Sequence, residues 1–304
     1  MNLDFSNIKV LLIGDFMIDH YIMGSSNRMS PEAAVPIVIP EKEYSIPGGA
    51  GNVAMNLKLM GANVDCIGCV GNDIWGEKLL SILEDEGIEI DGIELIDNHP
   101  STLKQRIYSD GKQIVRLDTE KIRNWQHTSE IKNNYDIIIL SDYNKGVINN
   151  LWFDINNLDN VIVDPKKASF NHYRGANIIT PNLNELKRAS NIEIGDDKSI
   201  VDACNQLIKE NSFNYVIAKK GAQGMTIVGT NNFVKHIQAH TVENPDVTGA
   251  GDTVISVLSL AYAQTKDIEL SAKIANAAAA IVVGKPGTAT ITIDEINNYI
   301  ELNK

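Results

Sequence analysis

The chain is poor in cysteine, and it contains neither an N-terminal signal pattern nor an apolar run long enough to span a membrane. Its 3 cysteines suit a reducing compartment. Cys66 and Cys69 form a C-x-x-C, but they lie in a run that predicts a strand, on which residues three apart face opposite sides. The sequence therefore predicts a cytoplasmic protein without a membrane partner and without a cysteine metal or redox pair.

Basic residues are also scarce. There are 27 lysines and arginines against 39 aspartates and glutamates, which gives a formal net charge of −12 at pH 7. Nucleic-acid binding depends on basic patches that neutralise phosphates, so this balance argues against a nucleic-acid partner. An enzyme of this charge that handles anionic substrates must concentrate its basic residues locally.

The apolar residues, 43% of the composition, fall into short runs that alternate with helical patterns. The runs that predict buried strands are Val10–Ile13, Val64–Val70, Ile137–Leu140, Val161–Val163, Ile178–Thr180, Tyr215–Lys219 and Met225–Val228. The segments that predict helices include Trp75–Glu86, Leu183–Ser190, Ile200–Glu210 and Leu270–Val283. Such alternation predicts an α/β fold, with a mostly parallel sheet and helices on both faces.

Two segments do not follow this alternation. Residues 16–46 and 101–118 carry alternating polar and apolar side chains with turn signals, which predicts additional strands outside the main sheet. The sequence contains no recognisable linker or internal repeat, and we expect residues 1–304 to form a single domain.

The run Asp246-Val247-Thr248-Gly249-Ala250-Gly251-Asp252-Thr253 precedes an apolar stretch that predicts a buried helix. Its glycines let successive backbone amides point into the space before that helix, where the helix dipole favours negative charge. The turn therefore suits a phosphate, beside which Asp252 would repel the ligand unless it takes a proton from an attacking hydroxyl. The alternative is that Asp252 is an ordinary helix cap and that the glycines only form a loop.

A second glycine cluster, Pro47-Gly48-Gly49-Ala50-Gly51-Asn52-Val53-Ala54, also opens an apolar helical stretch. Its glycines let a small ligand approach the backbone, and Asn52 offers both a donor and an acceptor for sugar hydroxyls. Together the two clusters resemble the paired signatures of the ribokinase-like (pfkB) carbohydrate kinases, and the resemblance runs along the whole chain. It implies the ribokinase-like fold, ATP and Mg²⁺, and a lid over the sugar formed by strands of residues 16–46 and 101–118.

Within this family the chain looks most like the D-glycero-β-D-manno-heptose 7-phosphate kinases of lipopolysaccharide precursor synthesis. The likeness rests on G-D-x-M-x-D-x-Y at Gly14–Tyr21 and on R-x-S-P-E-A-x-V-P-x-V at Arg28–Val38. Further stretches that agree are Thr102–Arg106, Gln113–Asp118, Ser141–Gly146, Asp164–Lys166 and Ile281–Thr290. The implied reaction transfers a phosphoryl group from ATP to the anomeric hydroxyl and gives ADP and the 1,7-bisphosphate.

The resemblance also implies roles for individual residues on the sugar side. Asp252 would be the catalytic base, and the amides of Gly249, Ala250 and Gly251 would stabilise the charge of the moving phosphoryl group. Asp15 and Asp19 come directly after the first strand, where open α/β sheets bind ligands; turn capping is the alternative for Asp19. The residues expected to bind the sugar are Asp15, Asp19, Gly48, Gly49, Asn52 and Asp142.

Cations are expected at the far end of the sugar pocket, because the implied substrate already carries a phosphate at carbon 7. The alternative is that these charges only pair with Asp118 and Glu120 at the surface. The candidates for this distal phosphate are Arg28, Lys104, Arg106 and Arg116.

On the nucleotide side, Thr180–Glu185 contains the family's N-x-x-E element. Asn182 and Glu185 would organise hydrated Mg²⁺ with few direct protein ligands, although their spacing also fits an ordinary capping box. Lys219 and Lys220 could equally be solvent-exposed charges. The residues expected around ATP are Lys166, Asn182, Glu185, Lys220, Gly221, Gly224 and Asn276.

Two other functions stay open from the sequence. One is another pfkB-type kinase of sugars or nucleosides, such as a ribokinase or a fructose-phosphate kinase; the other is a non-catalytic binding protein that kept the fold. Many relatives carry a nucleotidyltransferase domain with an H-x-G-H type signature, which this sequence does not contain, so adenylyl transfer is expected from a separate protein or a removed domain. We also expect a homodimer through the lid strands.

Overall fold

The structure, a computed structural model, describes residues 3–122, 125–127, 131, 134–149, 151–285, 287 and 289–302. Pro286 and Thr288 of the Ile281–Thr290 stretch lie outside these residues. The strands are β1 (Lys9–Gly14), β2 (Phe16–Ser25), β3 (Ile39–Gly49), β4 (Asn63–Gly71), β5 (Glu89–Ile96), β6 (Thr102–Ser109), β7 (Lys112–Thr119), β8 (Ile137–Ser141), β9 (Val161–Asp164), β10 (Ile178–Ile179), β11 (Tyr215–Lys219), β12 (Met225–Gly229) and β13 (Phe233–Ile237). The helices are α1 (Ala50–Leu59), α2 (Ile74–Asp85), α3 (Leu183–Ser190), α4 (Asp197–Asn211), α5 (Ala250–Thr265), α6 (Ile268–Val283) and α7 (Ile293–Leu302).

The main sheet has nine strands in the order β13-β12-β11-β10-β9-β8-β1-β4-β5. From β5 to β11 neighbouring strands are parallel, and β12 and β13 add an antiparallel edge. This confirms the predicted α/β fold with a mostly parallel sheet, and each predicted strand is present. The sequence patterns do not predict the edge strands β5 and β13, because edge strands are half exposed and carry many polar residues.

Hydrophobic cores cover both faces of this sheet. On one face Val10 and Leu12 pack with residues of α1, α2, α5, α6 and α7, and on the other Leu11 and Ile13 pack with residues of α3 and α4. Cys66 belongs to the first core and Cys69 packs against the second, so the two thiols lie on opposite faces as predicted. Among the described helices, none combines the length and apolar character needed to cross a membrane.

A separate four-stranded sheet, here called the lid sheet, has the order β3-β2-β6-β7. Its strands fall within the segments expected outside the main sheet, apart from three residues of β3 and one residue of β7. β2 begins at Phe16, two residues after β1 ends, and β3 runs directly into α1 at Ala50. The lid sheet is therefore joined to the main sheet at the place where β1 ends and α1 begins.

Candidate active site

The polar residues of the site follow the carboxyl ends of neighbouring parallel strands. Asp15 follows β1, Asp142 and Tyr143 follow β8, Asp164 ends β9, and Lys219 ends β11. Ligands of open α/β sheets bind at this edge. Helix α5 begins above the same edge, and its first turn contains Asp252.

Asp252 is a buried carboxylate at the N-terminus of α5. Gly249 caps the helix with a left-handed backbone (φ 76°), a conformation that glycine adopts without strain. Oδ2 of Asp252 accepts a hydrogen bond of 2.7 Å from Nδ2 of Asn52, and Oδ1 accepts one from the Tyr143 hydroxyl. The two glycine motifs, which lie 200 residues apart in the sequence, thus meet directly in the structure.

Burial, with a smaller contribution from the charge of Asp164, raises the pKa of Asp252, while the hydrogen bonds from Tyr143 and Asn52 and the charge of Lys219 lower it; the net result is a pKa of about 6. A general base works best when its pKa lies near the operating pH. The environment of Asp252 therefore suits proton abstraction better than that of an exposed helix cap.

The first turn of α5 also provides donors for an anion. The amides of Gly251 and Asp252 precede the first intrahelical hydrogen bond, which runs from Thr253 N to Gly249 O. A Cβ atom placed on Gly251 would lie 3.7 Å from Nζ of Lys219, so this ammonium group lies beside the turn. Together the amides and the Lys219 ammonium group provide hydrogen-bond donors where a phosphoryl group would pass.

Lys219 is held in that position by Asp164. Its Nζ lies 2.5 Å from Oδ1 of Asp164, which also accepts a hydrogen bond of 2.9 Å from Thr180 Oγ1. The Lys219 side chain is only 16% exposed, so its interpretation as a solvent-exposed charge is wrong. Lys220 extends toward α4 and forms an ion pair of 2.9 Å with Asp197; its side chain is 8% exposed, so the same interpretation is wrong for Lys220.

A cavity of about 610 Å³ opens beside the turn and reaches Asp252. It lies between the ends of β9 and β11 on one side and α5 and α6 on the other. Of the residues predicted around ATP, Lys220 does not line this cavity. Those that do are Lys166, Asn182, Glu185, Gly221, Gly224 and Asn276.

Asn182 and Glu185 form a capping box at the start of α3. Asn182 Oδ1 accepts from the Glu185 amide at 2.9 Å, and Glu185 Oε2 accepts from the Asn182 amide at 2.8 Å. Glu185 Oε1 also accepts a hydrogen bond from Lys166 Nζ at 2.9 Å. The capping role that spacing alone suggests is therefore present, and it holds both side chains at the wall of the cavity.

Asp19 is the central residue among those predicted to bind the sugar. It lies on β2 and is buried, and its Oδ1 is 2.5 Å from a guanidinium nitrogen of Arg106 on β6. A Cβ atom on Gly48 would lie 2.5 Å from Asp19 Oδ2, so only glycine allows this close approach. Gly49 has a φ of 56° and begins the turn into α1, which carries Asn52.

Lys104 lies near Asp19 on the same face of β6 as Arg106. Its Nζ is 5.7 Å from the centre of the Tyr143 ring, and no described carboxylate forms an ion pair with it. Burial lowers the pKa of Lys104, and the charges of Arg116 and Arg106 lower it further, while Asp19 opposes this shift. Such a poorly neutralised cation favours the binding of an anion.

Four of the residues predicted to bind the substrate are exposed or have other partners in the structure. Arg28 is exposed in the loop after β2, and Arg116 is held in a double hydrogen bond by Asp118, as the surface-pairing alternative expects. Asp15 accepts backbone hydrogen bonds from residues 143, 145 and 147. Asp142 accepts from Tyr173 and from the amide of residue 144, so both aspartates organise the loop after β8.

Tyr143 and the Asp164–Lys219 pair are not assigned a function by the sequence analysis, although both contact the centre of the site. The signal that could have found them is their position directly at the carboxyl ends of β8, β9 and β11. Tyr143 also lies in the Ser141–Gly146 stretch that the family resemblance identifies.

Known proteins resemble this chain over most of its length. The sequence profile described as pfkB family carbohydrate kinase matches residues 7–295. Similar curated proteins include the bifunctional protein HldE of Aliarcobacter butzleri (39% identity over 306 residues) and of Histophilus somni (38% over 308 residues). These alignments cover 96% and 97% of this chain but 64% of each relative, so the chain spans just under two thirds of their length.

Solved structures share the fold. Ribokinase from Thermotoga maritima has a TM-score of 0.74 at 20% identity, covering 97% of this chain and 99% of that one. Arabidopsis thaliana ribokinase complexed with ribose and ATP has a TM-score of 0.73 at 20% identity, covering 98% of both chains. Because the family profile spans nearly all of the sequence, the chain belongs to the pfkB family of carbohydrate kinases.

Proposed function

We propose that this protein transfers the γ-phosphoryl group of ATP to the anomeric hydroxyl of D-glycero-β-D-manno-heptose 7-phosphate. The observation that carries the proposal is the position of Asp252. This buried carboxylate, with a pKa raised to about 6 by burial, lies at an anion-binding helix terminus between the 610 Å³ cavity and the sugar-side residues. ATP would occupy the cavity, and the sugar would lie between Asn52 and the lid sheet.

In the proposed reaction, Asp252 takes the proton of the acceptor hydroxyl as its oxygen attacks the γ-phosphorus. The bond from that phosphorus to the β-phosphate oxygen breaks, and ADP leaves with the bonding electron pair. The amides of Gly251 and Asp252 stabilise the charge on the phosphoryl oxygens, and Lys219 adds a positive charge on the same side. Asn52 orients the base through its hydrogen bond to Oδ2.

The donors near the nucleotide cavity fit a hydrated Mg²⁺ better than a directly bound ion. Within the part of the chain that the structure describes, no group of three His, Cys, Asp or Glu side chains converges to hold a metal. Glu185 and Asn182 are fixed by the capping box and still offer oxygen lone pairs to metal-bound water, the usual form of Mg²⁺ in phosphoryl-transfer sites. Bound there, Mg²⁺ would neutralise charge on the ATP phosphates.

The lid sheet supports an acceptor that carries its own phosphate. Lys104, Arg106 and Arg116 lie on one face of β6 and β7, and Arg106 is directly opposite Arg116 in the antiparallel pair. Like charges in such positions destabilise a sheet unless an anion or a carboxylate compensates them. Asp19 pairs with Arg106 and Asp118 pairs with Arg116, so Lys104, which has no ion-pair partner among the described residues, is the cation of this face that supports binding of a distal phosphate.

The function is tested by measuring ADP release with a panel of acceptors in the presence of Mg²⁺ and ATP. We expect D-glycero-β-D-manno-heptose 7-phosphate to give the highest kcat/KM, above the unphosphorylated heptose, ribose and fructose 6-phosphate. A mass increase of one phosphoryl group, at the anomeric carbon, identifies the product. Equal rates with free and phosphorylated heptose would exclude binding of the distal phosphate by the cations of the lid sheet. A preference for ribose or fructose 6-phosphate would assign the chain to another branch of the family.

We also propose that the lid sheet forms a homodimer contact. β7 is an edge strand with every residue exposed, and it presents Ile114, Val115 and Leu117 to solvent at 45%, 46% and 56% exposure. An exposed apolar edge strand is a template for pairing with another chain. Leu117→Glu should shift the protein from dimer to monomer in sedimentation experiments, whereas Leu95→Glu on β5 should not. A wild-type protein that sediments as a monomer would contradict this proposal.

A further inference from the structure

Tyr143 and an acceptor hydroxyl require the same oxygen of the base. Asn52 donates to Oδ2 of Asp252 at 2.7 Å, and Oδ1 is the oxygen that receives the Tyr143 hydroxyl. A sugar hydroxyl that gives its proton to Asp252 must approach one of these two oxygens. Because Asn52 is a buried residue of α1, whereas Tyr143 is only partly buried and lines the cavity, Oδ1 is the oxygen that an incoming hydroxyl can reach.

The loop that carries Tyr143 is held firmly by its backbone. Asp15 accepts hydrogen bonds from the amides of Tyr143, Lys145 and Val147, at 2.8, 2.9 and 3.0 Å. Asp142 adds a hydrogen bond of 2.6 Å from the Tyr173 hydroxyl on the opposite side of the loop. The backbone at residue 143 is therefore fixed, and rotation of the side chain is the way in which its hydroxyl can leave Oδ1.

We propose that Tyr143 is a positioning residue that covers the base: its hydroxyl holds Oδ1 of Asp252 until the acceptor hydroxyl of a sugar displaces it. The inference rests on the proposed function, in which Asp252 is the general base. Its consequence is protection of ATP. A water molecule at Oδ1 would give its proton to Asp252, bond to the γ-phosphorus and release ADP and inorganic phosphate; the Tyr143 hydroxyl keeps water from that position.

The electrostatics agree with a donor role for this hydroxyl. Burial, and then the charge of Asp252 and Asp164, raise the pKa of Tyr143 well above its ordinary value, so the phenol stays protonated and cannot replace the carboxylate as the base. Asp252 itself is faced by Tyr143, by Asn52 from α1, by Asp164 from β9 and by Lys219 from β11. Of these groups, Tyr143 is the hydroxyl donor that contacts Oδ1.

The experiment compares Tyr143→Phe with wild type in ATP and Mg²⁺ without any sugar. Removing one hydrogen bond to a charged group should raise sugar-independent ADP release by about tenfold. The KM for the sugar should fall, because the acceptor no longer displaces a hydroxyl. The acid limb of the pH profile, expected near pH 6 for wild type, should move to higher pH. The hydrogen bond from Tyr143 lowers the pKa of Asp252, so removing it raises that pKa.

Tyr173→Phe is the matched control. It removes a tyrosine–aspartate hydrogen bond that supports the same loop, but Tyr173 does not contact Asp252. We expect no increase in sugar-independent ADP release from this variant. An equal increase in both variants, or none in Tyr143→Phe, overturns the inference.

The outcomes also separate this inference from the proposed function. If wild type phosphorylates a sugar while Tyr143→Phe shows no gain in sugar-free ADP release, the inference alone fails. If wild type releases no ADP with any acceptor, the proposed function fails, and the inference fails with it. Thermal unfolding of both variants near the wild-type temperature shows that the fold is kept.

Discussion

Replacing Asp252 with asparagine should lower turnover by about three orders of magnitude, the range expected for loss of a general base, while ATP and sugar still bind. Asparagine has nearly the same shape and can still accept the hydrogen bond from Asn52 through its amide oxygen. It cannot take the proton of the acceptor. Single-turnover kinetics and calorimetric binding of each ligand measure the two effects separately.

Asp267→Asn is the control for this experiment. Asp267 is also an aspartate at a helix N-terminus, where it caps α6, but it is exposed and does not line the cavity. Its replacement should leave turnover within about twofold of wild type, as is usual for a surface site. Equal turnover of Asp252→Asn and wild type would show that Asp252 is not the general base, and binding of both ligands without ADP release by wild type would identify a binding protein.

Replacing Lys104 with methionine should lower kcat/KM for the sugar phosphate by about 10- to 100-fold, the value of one hydrogen bond to a charged group. The methionine fills similar space, so the packing against Tyr143 is kept while the charge is removed. For the unphosphorylated sugar, kcat/KM should change little, because that acceptor has no anion for Lys104 to bind. Parallel assays with the two acceptors give the ratio of their kcat/KM values, and a decrease of this ratio in Lys104→Met is the predicted result.

Lys112→Met provides the matched comparison for Lys104. Lys112 lies at the exposed start of β7, on the same sheet, and its loss should affect neither acceptor. An equal decrease with both acceptors in Lys104→Met would mean that Lys104 supports the site generally and that the distal phosphate binds elsewhere.

The fold could be predicted from the sequence because its central strands are buried on both faces. β1 and β8 consist almost entirely of buried apolar residues, and such runs are visible without any knowledge of their neighbours. β5 and β13 are stabilised by pairing at the sheet edges. Polar and apolar residues alternate too weakly in these two strands to predict them from the sequence. These two strands form because of their contacts with the neighbouring strands, and a local sequence pattern does not contain that information.

The glycine turns of the candidate site could be predicted from the sequence. The ion pairs between its side chains could not. The turn at Gly249 requires a left-handed residue next to a helix, which leaves a readable pattern. In contrast, nothing in the sequence distinguishes Lys219, which meets Asp164 inside the site, from Lys220, which pairs with Asp197 outside it. Lys219 is the last residue of β11, whereas Lys220 already belongs to the turn that follows, so the point at which the strand ends separates the two roles.

The junction of the two sheets has a mechanical consequence. Asp15 connects β1 to β2, its carbonyl accepts the amide of Ala50 where β3 becomes α1, and its carboxylate binds the loop of Tyr143. A displacement of the lid sheet would therefore be transmitted within a few bonds to the helix that carries Asn52 and to the loop that carries Tyr143. In the proposed function, one movement of the lid sheet would then both enclose the acceptor and align the reacting groups.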